Sequence, residues 1–177
     1  MRTCGSALIV VAVLAALAGP ARAGDGESAL SLSVGYGIWS VPGEEKDTRI
    51  GPDGGAVLGV EYERGFGEAW SWRVAAAGGG YAGGGWSGSG WAGAGIVYRF
   101  DVLKYVPYAE VSAGGVVLAG GPLAEARFEP AAEAGGGLDV LVDRELSWGL
   151  EARVGVFPGE IVIFTVGLRG THRWGFF

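Results

Sequence analysis

The sequence predicts an all-β protein, an eight-stranded antiparallel up-and-down transmembrane β-barrel. Three observations predict it. Apolar residues recur at every second position in eight separate segments, which is the period of a half-buried strand. The apolar face of those segments carries no Asp, Glu, Lys or Arg; the charges lie on the other face. Connections between the segments alternate between long and short, the rhythm of a chain that runs up and down through a bilayer.

The chain of 177 residues fits one domain behind a targeting segment. Residues 1–23 read as a cleaved secretory signal. Arg2 gives the positive start, Ala7 to Ala18 the apolar run and Ala21-Arg22-Ala23 the small-x-small cleavage site. That run is too short for a spanning helix, which needs about 20 residues. Cys4 precedes the apolar run, so it is not an acylation cysteine at the cleavage point. Cleavage after Ala23 leaves 24–177 as the barrel, without cysteine, so disulfides and cysteine-based zinc sites are excluded. A net charge of −6 gives no electrostatic footprint for nucleic acid. An apolar fraction of 49% argues against disorder in spite of 36 glycines.

The strands follow in order. Ala29–Ser40 sets Leu30, Leu32, Val34, Tyr36 and Ile38 against Ser31, Ser33, Gly35 and Gly37. Ala56–Glu63 sets Ala56, Leu58, Val60 and Tyr62 against Val57, Gly59, Glu61 and Glu63. Trp70–Gly78 sets Trp70, Trp72 and Val74 against Ser71 and Arg73, and Ala92–Asp101 sets Ile96, Tyr98 and Phe100 against Gly93, Gly95, Arg99 and Asp101. Tyr105–Val117 sets Pro107, Ala109, Val111 and Val117 against Tyr108, Glu110 and Ser112. Pro130–Val142 sets Leu138 and Val140 against Glu133, Gly135, Gly137 and Asp139. Leu146–Val156 sets Trp148, Leu150 and Val154 against Gly149, Glu151 and Arg153. Val162–Phe176 sets Phe164, Val166, Leu168, His172 and Trp174 against Thr165, Arg169 and Arg173.

The connections 41–54, 81–90 and 118–129 read as long, 64–68, 102–104 and 143–145 as short, and 157–160 breaks the rhythm by being short. The acidic first loop (Glu44, Glu45, Lys46, Asp47, Arg49, Asp53) matches no EF-hand spacing and reads as a solvated loop. The glycine-rich stretch 78–88 lacks the Lys-Ser/Thr of a phosphate loop and reads as a mobile loop.

Alternation alone does not say which face meets lipid, because a soluble barrel keeps its apolar residues inside. Two features decide it. The strand charges include no Lys, whereas a water-facing surface uses lysine freely. Arg and Glu suit a crowded interior in which guanidinium forks meet carboxylates. Glu61, Arg73, Arg99, Glu110, Glu133, Glu151, Arg153 and Arg169 are therefore expected to form a lumen network that plugs the bore. Aromatics, in turn, sort to the strand ends. Tyr62, Trp70, Trp72, Tyr98, Phe100, Trp148, Trp174 and Phe176 fall at the short-turn end, and Tyr36, Tyr81, Trp86, Trp91, Phe128 and Phe157 nearer the long loops. Two interfacial girdles are expected.

The chain ends Trp174-Gly175-Phe176-Phe177. A terminal Phe after an alternating strand resembles the signal read by the outer-membrane assembly machinery of Gram-negative bacteria. Tyr105-Val106-Pro107-Tyr108-Ala109-Glu110-Val111 looks like the Pro-aromatic strand start of the same superfamily. Together these features resemble the small eight-stranded outer-membrane barrels of the outer membrane protein A/X and opacity-protein type, over the whole mature chain. The resemblance implies export through the Sec route, residence in the outer membrane, and contact with outer-membrane lipid and the assembly machinery.

Enzymes of this architecture need a histidine beside a nucleophile or carboxylates. His172 is the only histidine, shares the apolar face with Trp174 and reads as an interfacial anchor. No catalytic, cofactor or metal site is expected. Three functions stay open: a structural or surface-interaction barrel with a plugged lumen, its partner reached through loops 41–54, 81–90 and 118–129; a narrow pore for ions or small solutes; and a soluble periplasmic lipid- or ligand-binding barrel.

Overall fold

The structure, a computed structural model, describes residues 26–42, 49–83, 85–100, 104–120, 125–157 and 162–175. The signal segment 1–23 and the terminal Phe176 and Phe177 lie outside the described residues. Eight strands form: β1 (Ser28–Pro42), β2 (Arg49–Gly65), β3 (Trp70–Ala82), β4 (Trp86–Arg99), β5 (Tyr105–Gly120), β6 (Arg127–Leu141), β7 (Leu146–Val156) and β8 (Val162–Trp174). Each pairs antiparallel with the next, and β8 closes on β1.

The register fixes the barrel's dimensions. A path perpendicular to the strands from Ser28 passes Arg64, Trp72, Ile96, Val111, Ala134, Val154 and Phe164, and returns to Ile38, ten residues further along β1. Eight strands with that stagger tilt by about 40° and enclose a cylinder of about 8 Å backbone radius. Each residue then climbs about 2.5 Å along the axis.

Side chains alternate as the period-two pattern predicts. Leu32, Leu58, Val111, Leu150 and Leu168 are exposed on the outer face. Glu61, Arg73, Glu110, Asp139, Arg153 and Arg169 are buried inside. Tight turns close one end at 66–69 and 142–145. In the second, Asp143 Oδ1 accepts hydrogen bonds from the Glu145 and Leu146 amides, each at 2.8 Å.

Two expectations are corrected. The strands run further than the alternation showed: β2 begins at Arg49, β3 reaches Ala82, β4 begins at Trp86, β5 reaches Gly120 and β6 begins at Arg127. The loops drawn as 41–54, 81–90 and 118–129 shrink accordingly. Most of the 78–88 glycine stretch is paired strand, with Gly80 opposite Gly88 and Tyr81 opposite Ser87. Glycine carries no facial signal, so a glycine-rich strand reads as loop.

The loop-end aromatics also divide. Tyr36, Trp86 and Phe128 face outward, whereas Tyr81 and Phe157 are buried inside with Trp39, and Trp91 packs against them. Parity is the reason: each of the inward rings is an odd number of residues from an outward residue on its own strand or, for Phe157, on β7, which it directly follows.

Glycine makes room for these bulky interior groups. A Cβ on Gly93 would sit 2.5 Å from the Trp91 ring, one on Gly79 2.5 Å from Tyr81, one on Gly135 2.7 Å from Arg153, and one on Gly137 2.6 Å from Tyr108. Gly95, beside Arg73 and Ser112 in the register, is tighter: its Cβ would lie 2.1 Å from the Val111 carbonyl oxygen. Gly90, on the outer face, has open space around it. Gly95→Ala is expected to cost about 1–3 kcal/mol through forced overpacking, and Gly90→Ala almost nothing. Urea unfolding of the two variants in lipid vesicles measures the difference, and equal midpoints would refute this account of the packing.

Candidate functional site

The lumen gathers charge from seven of the eight strands, β2 to β8, while β1 supplies hydroxyls. Arg73 on β3 is fully buried and bonds to Glu110, to Glu133 at 2.9 Å, to Ser112 Oγ at 3.2 Å and to Glu61 at 3.4 Å. Arg153 on β7 donates to Glu110 at 2.6 Å through Nε, and to Glu61 and Glu151 through Nη2, the latter at 2.9 Å. Arg169 on β8 bonds to Glu63 and to Ser31 Oγ at 2.8 Å, and its guanidinium lies 4.7 Å from the Tyr108 ring centre. Arg99 on β4 bonds to Glu63 and to Ser71 Oγ at 2.8 Å.

Shared carboxylates join these into one belt of four guanidinium and five carboxylate groups. Glu61 links Arg73, Arg153 and Arg169, and Glu63 links Arg169 and Arg99. All eight residues expected in the lumen lie in this belt, and Glu63 joins them. A separate group sits nearer the turns: Arg173 contacts Asp139 at 3.0 Å, Ser147 at 3.0 Å and Glu27 at 3.3 Å. Glu63, Asp139 and Arg173 were legible on the polar face. Glu27, just before β1, carried no sequence signal.

Above the belt the lumen changes character. Four residues beyond Arg153 on β7, about 10 Å higher, Phe157 packs with Trp39, Tyr81, Val116, Leu118 and Ala131 in an apolar plug. Trp39 and Tyr81 approach to 6.3 Å between ring centres, and Tyr81 Oη and Ser89 Oγ are hydrogen bonded at 2.9 Å. Between belt and plug lies a cavity of about 50 Å³, lined by Ser33, Thr165, Glu133, Glu151 and Arg153 below and Tyr81, Trp91 and Phe157 above. That is room for about three or four waters.

Aromatics cluster on the outer face at the turn end. Trp70 and Tyr98 meet at 4.8 Å, Tyr98 and Phe100 at 4.8 Å, and Tyr62 lies 6.2 Å from both Trp72 and Trp174. Trp148 is exposed nearby. His172 stacks on Trp174 at 5.7 Å on this outer face, with the sheet between it and every lumen carboxylate.

The belt makes a stability prediction. Arg73→Met leaves Glu110, Glu133 and Glu61 to share Arg153 and puts one more uncompensated carboxylate in the buried belt, and is expected to cost about 3–5 kcal/mol. Arg127→Met removes a pair with Glu129 whose arginine side chain is 55% exposed, and is expected to cost less than about 1 kcal/mol. Denaturant unfolding of both in the same lipid checks the contrast, and a loss below about 1 kcal/mol for Arg73→Met would show that the belt is solvated.

No family model matches the chain, and no curated protein matches it in sequence. Solved structures do match in fold. Neisserial surface protein A shares 11% identity at a TM-score of 0.65, covering 82% of this chain and 96% of that one. The N-terminal β-barrel domain of Pseudomonas aeruginosa OprF shares 10% at 0.58, covering 84% and 99%. Ail, the attachment invasion locus protein of Yersinia pestis, in complex with the heparin analogue sucrose octasulfate, shares 18% at 0.55, covering 85% and 99%. At these identities the likeness is one of fold, an eight-stranded barrel.

Proposed function

We propose that the mature chain is an integral outer-membrane β-barrel with a structural or surface-interaction role, no catalysis and a lumen plugged by the Arg/Glu belt. The inverted distribution of its side chains carries this reading. Leu58 is 65% exposed and Leu150 57%, while Arg73 is wholly buried. A soluble protein with such an exterior has no solvent to match it, because contiguous apolar patches beyond a few hundred Å² are rare on soluble monomers. Hydrocarbon matches it, and a closed barrel leaves no backbone group unpaired there.

The aromatic cluster at the turn end then lies at the periplasmic headgroups as a girdle of Tyr62, Trp70, Trp72, Tyr98, Phe100, Trp148 and Trp174. Residues 1–23 direct export, and Phe177 serves as the assembly signal. A soluble lipid carrier is disfavoured by the interior itself. Ligand pockets measure about 300–1,000 Å³, whereas this cavity is far smaller, about 50 Å³.

The loop end offers the surface for a partner. It differs from what a sulfated sugar requires. In the sequence Glu44, Glu45 and Asp47 outnumber Lys46 and Arg49 between β1 and the start of β2, and Glu125 with Glu129 outnumbers Arg127 around the start of β6. A cationic or neutral partner fits that balance better than a polyanion such as the analogue in the Ail complex.

Two measurements test the reading. Full-length chain expressed in a Gram-negative host is expected in the outer-membrane fraction, migrating faster on SDS gels when unheated than when boiled. A soluble periplasmic band with no heat shift would turn the protein inside out. Leu58→Arg places a charge about 10 Å above the Tyr62 girdle, near the middle of the apolar band, and is expected to cost about 2–4 kcal/mol of stability in lipid. Unimpaired insertion and an unchanged unfolding midpoint would rule out lipid at that face.

A further inference from the structure

We infer that the lumen is closed twice in series, by an apolar seal at the loop end and an ionic seal below it, with a chamber of isolated water between. This rests on the membrane reading above. The upper seal is Trp39, Tyr81, Val116, Leu118 and Phe157, all buried although they stand near a barrel mouth. The lower seal is the belt, whose Arg73, Glu61 and Glu110 are equally buried.

The two seals act by different physics. The apolar plug excludes ions by dewetting, since a bore lined with rings offers a hydrated ion no ligand. The belt excludes them by occupancy, because its side chains fill the bore and pair as ions across it. The chamber between them is lined mostly by apolar surface but carries polar groups able to hold water. It has hydroxyls on Ser33, Ser89 and Thr165 and carboxylates on Glu133 and Glu151. The indole Nε1 of Trp91 on its wall and that of Trp39 in the plug are buried without a protein acceptor, and buried donors of this kind are met by water.

The plug is also held separately from the belt. Trp91 lies over Gly93, Tyr81 over Gly79 and Phe157 beside Gly155. Tyr81 is tied to Ser89, not to any belt residue. Removing one seal therefore leaves the other standing.

The test uses Thr165→Cys, a chamber reporter in a mature chain that otherwise has no cysteine if cleavage follows Ala23. All variants are first checked for outer-membrane location and heat shift, which tests the membrane reading apart from this inference. In intact cells the reporter alone is expected to resist a small cationic thiosulfonate. With Trp39→Ala, Tyr81→Ala and Phe157→Ala added, it is expected to be modified, while conductance in planar bilayers stays at the closed baseline. Removing belt charges in balance, with Arg73→Ala, Arg153→Ala, Glu110→Ala and Glu133→Ala, is expected to give no current alone and discrete current steps when combined with the plug changes. Modification of the reporter in the intact barrel would overturn the apolar seal. Current from the plug variant alone would overturn the ionic seal, and that result is available even if the belt variant fails to fold.

Discussion

Every part of this structure depends on closure of the hydrogen-bond ladder. In hydrocarbon an unpaired amide costs several kcal/mol, so a sheet survives there only without edges. Once β8 pairs with β1 at a stagger of ten residues, the bore is set at about 8 Å backbone radius. Nothing about the side chains remains optional after that. A cylinder of that width is too narrow for a free channel and too wide for small residues, so long side chains from opposite walls must meet across it.

Arginine and glutamate meet that requirement better than apolar residues of similar length for a reason that lies outside the barrel. The outer face is apolar, and a chain apolar on both faces loses the alternation that tells it which face is out. The cost is desolvation of nine charges, which Coulomb attraction offsets only when each is paired. Hence the shared carboxylates of Glu61 and Glu63 and the hydroxyls of Ser31, Ser71 and Ser112 that take up spare guanidinium donors. Lysine, with a single strongly hydrated ammonium, would satisfy fewer such partners at once.

The faces were legible because period two survives any uncertainty about strand ends. Arg73, Glu110 and Arg153 could be set inside from parity alone. Their partners could not. Arg99 bonds to Glu63 on a strand two away, and Arg153 reaches Glu61 across the bore; both depend on the stagger, which only interstrand pairing sets. Trp39 shows no clear face in the sequence although its neighbour Ile38 points outward, because it stands at the end of the visible alternation. Gly79, Gly80 and Gly88 read as loop for a different reason: a residue without a side chain has no face to show.

Register is where the two kinds of information meet. A slip of one residue would turn every strand inside out, and the apolar pattern forbids it. A slip of two preserves both faces, so the apolar pattern is blind to it. It would carry Arg73 about 6.6 Å along its strand, out of reach of Glu110, Glu133 and Glu61 together, and would set the Arg153 and Tyr108 side chains against residues other than the glycines that now receive them. The ion belt and its glycine recesses therefore supply the discrimination that hydrophobic alternation lacks. On this argument the interior charges are retained less for the stability they add than for the one stagger, of all those with correct faces, that leaves none of them unpaired.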